Sequence, residues 1–132
     1  MVGWPSGARP SAVKRASWAA AGQEFDYTKL LTAASGNGHA FASLFDPDHR
    51  GFFQPSDMLE AISDYCRQTS QPVPDGPAAF ARGILESLAF KYRVVLESLE
   101  DVVGTRFDEI RIVGGGSRNR LLNQFTADAT GR

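Results

Sequence analysis

The stretch "IRIVGGGSRNRLL", residues 110–122, decides the fold that the sequence predicts. Isoleucine alternates with arginine ahead of the glycines, and this pattern of β-branched residues predicts a short strand over 108–113. The run from Gly114 to Gly116 then forms a turn, and Ser117 is placed to cap a following helix. A strand, a glycine turn and a helix in this order predict an α/β unit.

A single strand cannot form a sheet on its own. A strand with a glycine turn at its carboxyl end normally lies in a mainly parallel sheet, whose other strands must come from elsewhere. The sequence ends at Arg132, just after the helix, where a further strand is expected. We therefore expect these residues to be a piece of a larger domain, or a domain that is completed from outside.

The longest helical pattern precedes this unit. It begins near Pro77, which suits a first helical position, and it stops at Gly104. Apolar residues recur every three or four positions as far as Leu99 and Val102, while charged residues such as Glu86 fall mostly on the other side. The apolar face is wider than one stripe, so we expect this helix to pack on more than one neighbour.

Shorter elements are predicted upstream. Residues 1–15 are rich in proline and glycine in their first part and form an irregular lead-in, although an alanine-rich helix from Ser11 to Ala21 can begin within it. Asp26 caps a second helix, and Ser56 caps a third. Cys66 lies on the apolar face of that third helix, where a structural role is favoured over a nucleophilic one because no histidine is placed to activate the thiol.

Composition limits the classes of protein. The chain has 132 residues, 42% of them apolar, and a formal net charge of -1, which gives no electrostatic basis for binding nucleic acid or a membrane surface. No apolar run approaches the roughly 20 residues that span a bilayer. One cysteine excludes an internal disulfide and fits a reducing compartment, so we expect a cytoplasmic protein.

The loop "FASLFDPDHRGFFQPSDM", residues 41–58, contains four phenylalanines, which should hold it against a core. Its polar residues, Asp46, Asp48, His49 and Asp57, could bind a hard cation. The glycine and glutamate positions of a calcium loop are not matched, however, and turn-forming aspartates are favoured. His39 has no partner at metal-ligand spacing, so no metal site and no catalytic residue is predicted.

The glycine turn is the feature that points to a ligand. Glycine allows a close approach to the backbone, and a helix N-terminus offers free N–H groups with partial positive charge, which suit anions and nucleotides. A P-loop is excluded because no lysine occurs from residue 92 onward. The dinucleotide fingerprint requires a small residue where Asn119 stands. A turn that only connects two elements remains an alternative.

The segments "ILESLAFKYRVVLESLE" and "IVGGGSRNRLLNQFTADATGR" resemble the C-terminal half of FGGY-type carbohydrate kinases, most closely those that act on L-rhamnulose. The resemblance implies an α/β fold of the ribonuclease H-like or actin-like ATPase class, helix-rich with few strands. Residues 1–132 would then be part of the C-terminal, nucleotide-side domain. The N-terminal domain, which in the family binds the sugar and carries the catalytic aspartate, is not contained in this sequence.

The resemblance also assigns nucleotide contacts. In the family a run of glycines followed by asparagine contacts the nucleotide, and the matching residues are Gly114, Gly115, Gly116 and Asn119. Asn123 lies one turn later and could support Asn119. Arg118 and Arg120 are favoured as solvated residues of the first helical turn rather than as phosphate ligands.

The implied reaction is the ATP-dependent phosphorylation of L-rhamnulose to L-rhamnulose 1-phosphate. ATP or ADP and a ketose are the implied ligands, and the Mg²⁺ site lies outside this sequence. A kinase for xylulose, ribulose or fuculose is an alternative, as is a non-catalytic remnant. Because the catalytic aspartate is not contained here, we expect the isolated chain to be inactive and to bind nucleotide weakly. Its unpaired strand edge and apolar helix face predict self-association.

Overall fold

The computed structural model describes residues 27–36 and 40–132. The helices are α1 (Tyr27–Gly36), α2 (Met58–Gln68), α3 (Gly76–Val103) and α4 (Arg120–Thr130), with 3-10 turns at Arg50–Phe52 and Gly115–Arg118. The predicted lead-in over 1–15, the predicted helix from Ser11 to Ala21, and the predicted roles of Asp26 and His39 lie outside the described residues. Among the described helices, none has the length and apolar character that crossing a membrane requires.

Helix α3 is the backbone of the fold, as its length and periodicity predict. Proline stands in its first turn, and Gly104 ends it in the left-handed conformation with φ of 69°. The Gly104 N–H donates to the carbonyl of Glu100 at 2.8 Å. Both α1 and α4 pack against α3, which confirms that its wide apolar face serves more than one neighbour.

The burial of α3 differs from the prediction at two places. Its buried residues all lie between Phe80 and Ala89, whereas Leu99 and Val102 in the last turns are exposed, Val102 to 85%. None of the described residues therefore covers the predicted apolar stripe at this end of the helix. Glu86, which the pattern places on the solvent side, is instead only 2% exposed.

The loop before α2 lies along the first half of α3. Gly83 makes this approach possible, since a Cβ there would stand 3.2 Å from the carbonyl oxygen of Ser43. The Phe45 N–H donates to Oγ of Ser87 at 3.1 Å, and that hydroxyl donates to the Gly83 carbonyl at 2.6 Å. The loop is thus fastened to the helix by a chain of hydrogen bonds.

The four phenylalanines of this loop divide into two groups. Phe45 and Phe52 are buried and their rings meet edge to face, with centroids 5.4 Å apart. Phe41 and Phe53 are exposed. The prediction that all four hold the loop against a core is therefore confirmed for only two of them.

Helix α2 contributes Met58, Ile62 and Cys66 to the core. Asp57 caps it, not Ser56, because Oδ1 of Asp57 accepts the N–H groups of Leu59 at 2.8 Å and Glu60 at 3.2 Å. Cys66 is fully buried on its inner face, and burial raises the pKa of the thiol. A thiol that resists ionisation is a poor nucleophile, which supports the structural role.

The strand predicted over 108–113 is not formed among the described residues. This segment has neither helical nor strand structure, and Ile112 and Val113 are exposed. A strand gains its hydrogen bonds from a neighbouring strand, and no described segment supplies one here. The helix-rich character of the prediction is confirmed, whereas its strand is absent from this part of the chain.

Candidate functional site: the glycine turn before helix α4

The turn reverses the chain between the 108–113 segment and α4. Gly114 has φ of 86° and ψ of -165°, a backbone conformation that is essentially restricted to glycine. Its carbonyl oxygen accepts both the N–H of Ser117 at 3.2 Å and the Ser117 hydroxyl at 2.6 Å. Ser117 therefore closes the turn and does not cap α4, which corrects the prediction from sequence.

Asn119 is the residue that caps α4. Its Oδ1 accepts the N–H of Leu122 at 3.0 Å, from an extended backbone with φ of -83°. Its own N–H donates to the carbonyl of Gly116 at 3.0 Å. With only 9% of its surface exposed, Asn119 joins the glycine turn to the first turn of the helix.

Asn123 supports the same corner one helical turn later. Its Nδ2 donates to the carbonyl of Ser117 at 2.9 Å, and its backbone N–H donates to the carbonyl of Asn119 at 3.0 Å. The buried Oδ1 of Asn123 has no hydrogen-bond partner among the described residues. Asn123 thus supports the turn, as expected from the sequence, by holding its backbone at Ser117 and Asn119.

The outer side of the turn is open. A Cβ built on Gly114, Gly115 or Gly116 meets no atom within 4 Å, and all three residues are exposed. Among the described residues, the N–H groups of Gly115 and Gly116 find no hydrogen-bond partner. The turn therefore presents bare backbone with free donors beside a helix N-terminus, which is suited to a flat or anionic group.

The two arginines next to the turn, Arg118 and Arg120, are both exposed. They flank Asn119 without covering the glycines. Positive charge at this position can attract an anion. An exposed guanidinium is not held in one position, however, so it does little to orient a bound anion.

The four residues weighed as cation ligands have other contacts. Nζ of Lys91 lies 2.9 Å from Asp46 and 3.0 Å from Asp48. The Asp48 N–H and the Lys91 ammonium hold the pKa of Asp46 below its ordinary value. Nδ1 of His49 accepts the N–H of Gly51, and Asp57 caps α2. In the described part of the chain, no group of three or more histidine, cysteine or acidic residues is arranged to hold a metal ion.

A buried ion pair in the first half of α3 packs against α4, and the sequence pattern does not predict it. Nε of Arg82 is 2.7 Å from Oε1 of Glu86, and their side chains are 13% and 2% exposed. Oε2 of Glu86 accepts the N–H of Phe41 at 2.9 Å, and Arg82 lies over the ring of Phe125 at 5.2 Å. The (i, i+4) spacing of arginine and glutamate was the available signal, but that spacing usually belongs to an exposed helix face.

A cavity of about 400 Å³ adjoins this pair, between α3 and the proline-rich connector at residues 72–75. Arg82, Glu86 and Asp75 supply its charged lining. Arg82 also donates to the carbonyl of Ala34 at 3.2 Å, so it ties α1 to α3. The ion pair of Arg82 and Glu86 therefore has a structural role, since its hydrogen bonds tie Phe41 and α1 to α3.

Comparison with known proteins agrees with the resemblance. Residues 9–132 match the C-terminal domain of the FGGY family of carbohydrate kinases. The chain is 48% identical over 105 residues to a rhamnulokinase of Bacteroides thetaiotaomicron, covering 80% of this chain and 21% of that protein. It is 37% identical over 109 residues to a rhamnulokinase of Oceanobacillus iheyensis, covering 83% and 23%. A rhamnulokinase of Pectobacterium carotovorum is 47% identical over 108 residues, covering 80% and 22%. The chain thus spans about a fifth of the length of these relatives, and it belongs to the FGGY family of carbohydrate kinases, in which it corresponds to the C-terminal domain.

Proposed function

We propose that this chain forms the nucleotide-binding side of an ATP-dependent carbohydrate kinase that phosphorylates L-rhamnulose to L-rhamnulose 1-phosphate. Membership of the family supports the kinase activity, and the names of the relatives support the sugar. In this proposal, residues beyond this sequence bind the sugar and the Mg²⁺. They also include the catalytic base. The role of this chain is then to hold the adenosine of ATP.

The open glycine turn is the observation that carries this proposal. A purine is flat and stacks closely only where no side chain intervenes. A Cβ built on Gly115 or Gly116 would have no described atom within 4 Å, so the space beside both residues is open. Their N–H groups can donate to ring nitrogens or ribose oxygens. The residues present therefore fit an adenosine, with Gly114 setting the direction of the turn.

Asn119 is the polar contact that we propose to adenine or ribose. Its Oδ1 already caps α4, so contact with a ligand has to coexist or compete with the bond to the N–H of Leu122. Either way, Asn119 links the position of the glycine backbone to the helix. Loss of its side chain should weaken nucleotide binding by about 1–2 kcal/mol.

The expected affinity of the isolated chain is weak. Phosphate groups and their Mg²⁺ provide much of the binding energy in phosphoryl-transfer sites, and these contacts are proposed to lie elsewhere. Adenosine contacts alone should give a dissociation constant in the millimolar range, equivalent to about 4 kcal/mol. Binding of this strength is measurable by chemical shift.

The direct test is a titration of ¹⁵N-labelled protein with ADP and with adenosine. Amides of residues 113–120 should shift for both ligands. Gly115→Val should abolish these shifts because a branched side chain occupies the space of the purine. Gly36→Val is the matched control, since Gly36 also has no atom within 4 Å of a built Cβ and lies at the end of α1.

Two outcomes would contradict the nucleotide role. Shifts that cluster near Asp46 and His49, with residues 113–120 unchanged, would place the ligand elsewhere. An absence of shifts at millimolar nucleotide would make the turn a connector.

The kinase part of the proposal is tested by a chimera. This chain should replace the matching segment of the Bacteroides thetaiotaomicron rhamnulokinase and retain phosphorylation of L-rhamnulose in a coupled assay for ADP. The same chimera with Gly115→Val should fold and lose activity. A chimera that folds but is inactive would show that this chain does not work as part of a kinase. The isolated chain is expected to release no ADP above background.

A further inference from the structure

The glycine turn lies at the tip of a unit that runs from Phe107 to Arg132. The segment 108–113 leads to the turn, and α4 leads away from it. At the end of the unit that is remote from the turn, Nε of Arg132 donates to the carbonyl of Phe107. A hydrogen bond therefore joins the first and last residues of the unit.

One carboxylate oxygen fastens both of these residues to α3. Oε1 of Glu100 accepts the Phe107 N–H at 2.9 Å and Nη2 of Arg132 at 2.6 Å. The Glu100 and Arg132 side chains are 16% and 9% exposed, so these bonds are largely shielded from water. Glu100 is thus the point at which α3, the start of the segment and the end of α4 meet.

The path of segment 108–113 is set mainly at its two ends. Between Phe107 and Gly114, no backbone group is hydrogen-bonded to another backbone group among the described residues. Helix α4, by contrast, packs along α3. The direction from which the segment enters the turn therefore depends on the bonds that hold Phe107.

We propose that Glu100 and Arg132 are positioning residues for nucleotide binding, because they fix the start of the segment that leads to the glycine turn. This proposal rests on the nucleotide-binding role of the turn proposed above. Helix α4 has 11 residues and is about 16 Å long, so neither side chain is expected to touch a ligand at the helix N-terminus.

The physical basis is preorganisation. A ligand that requires one orientation of the turn binds with an affinity reduced by the fraction of molecules that have this orientation. Holding Phe107 in place raises that fraction before the nucleotide arrives. The same bonds act when neighbouring strands complete a sheet around the segment. A strand can pair in more than one register, and a fixed first residue removes that freedom.

Substitutions of Glu100 test this role in the full 132-residue chain. Glu100→Ala removes the oxygen that accepts both bonds, whereas Glu100→Gln retains an acceptor oxygen and removes the charge. In the ¹⁵N titration, Glu100→Ala should raise the dissociation constant for ADP about three- to tenfold. That range corresponds to a turn that keeps its binding orientation about 10–30% of the time. Glu100→Gln should raise the dissociation constant by less than about threefold.

Two arginines that link α3 to α4 provide a matched pair. Arg93 on α3 donates to the carbonyl of Ala129 at 3.3 Å, and Arg132 donates to Glu100. Of the two arginines, only Arg132 donates to Phe107. Arg132→Met should therefore weaken ADP binding as Glu100→Ala does, whereas Arg93→Met should leave the dissociation constant within about twofold. Equal weakening by both variants would assign the effect to helix packing and overturn the proposal.

A measurement without ligand separates this proposal from the proposed function. Heteronuclear ¹H–¹⁵N NOEs of the Gly115 and Gly116 amides report their order on the picosecond to nanosecond timescale. Glu100→Ala should lower these NOEs, and Arg93→Met should not. A role of Glu100 in stability alone would reduce the folded fraction in urea and leave the NOEs of the folded chain unchanged.

The outcomes are therefore distinct. Unchanged NOEs in Glu100→Ala would overturn the positioning role, whether or not nucleotide binds. Lowered NOEs in a chain that binds no ADP even without substitution would overturn the proposed function, while they would support the coupling of the turn to Glu100.

Discussion

Replacing Glu86 with alanine should lower the free energy of unfolding by about 3–5 kcal/mol. The substitution breaks the ion pair between Arg82 and Glu86, whose side chains are only 13% and 2% exposed. It also removes the acceptor of the Phe41 N–H. Arg82 keeps its contacts with the Ala34 carbonyl and the Phe125 ring, which reduce the loss.

The same helix provides a matched control. Arg93 and Glu97 form an ion pair with the same (i, i+4) spacing at 2.8 Å, but their side chains are 49% and 54% exposed. Glu97→Ala should therefore cost less than about 1 kcal/mol. Glu86→Gln removes the charge and one of the two acceptor oxygens, which accept from the Phe41 N–H and from Arg82. An intermediate loss of about 1–3 kcal/mol is therefore expected.

Urea unfolding followed by far-ultraviolet circular dichroism measures all three variants against the unsubstituted chain. The m-values should remain unchanged, so that the difference in midpoint reports stability. Burial is the property that distinguishes Glu86→Ala from Glu97→Ala. If the two variants lost the same stability within about 0.5 kcal/mol, burial would not be the deciding factor and the argument would fail.

The glycine turn and the Glu100 carboxylate carry the remaining predictions. Asn119→Ala should lower stability by about 1 kcal/mol because the cap is lost, whereas Asn119→Asp should retain it; equal melting temperatures for the two would exclude the capping role. Gly114→Ala should cost about 1–3 kcal/mol in chemical unfolding, since φ of 86° with ψ of -165° strains any residue with a Cβ; a neutral effect would contradict that backbone assignment. The hydrogen bond that the Phe107 N–H donates to Oε1 of Glu100 at 2.9 Å holds the pKa of Glu100 below its ordinary value of 4.5. This bond should be intact above that pH and be lost as the pH falls through the lowered pKa; an NMR titration of the Phe107 amide with its midpoint at or above 4.5 would show otherwise.

The helices could be predicted from the sequence because their information is local. The pattern from Pro77 to Gly104 combines periodic apolar residues, a proline at the start and a glycine at the end, and α3 has these bounds within one residue. Periodicity does not say how far a face is covered. The exposure of Leu99 and Val102 depends on what packs there, which is a tertiary property.

The N-caps of α2 and α4 were predicted by residue type but at the wrong positions. Ser56 and Asp57 are both good caps, and Asp57 is used because its carboxylate accepts two N–H groups of the first turn. Ser117 and Asn119 present the same choice, and here a 3-10 turn takes up the residues between them. A local pattern cannot place a helix start when two capping residues lie within one turn.

The strand and the ion pair were beyond local reasoning for one physical reason. Alternating isoleucines favour extended backbone, but the hydrogen bonds of a strand belong to its neighbour. In the same way, Glu86 is buried because the Phe41 loop and Arg82 supply its partners, and they come from residues that are 45 and 4 positions away. A strand and the burial of Glu86 thus each require a partner that is distant in the sequence.

The three glycines of the turn have different explanations, and this difference bears on the proposed ligand. Gly114 is required by the backbone itself, since it has φ of 86°. Gly115 and Gly116 have no positive φ, and a Cβ on either would meet nothing within 4 Å. The packing and conformation of the described chain therefore leave these two positions free to carry a side chain. Glycine there is best explained by a partner that approaches from outside and needs bare backbone, and a purine has that requirement. For this reason Gly115 and Gly116, more than Gly114, support the nucleotide role.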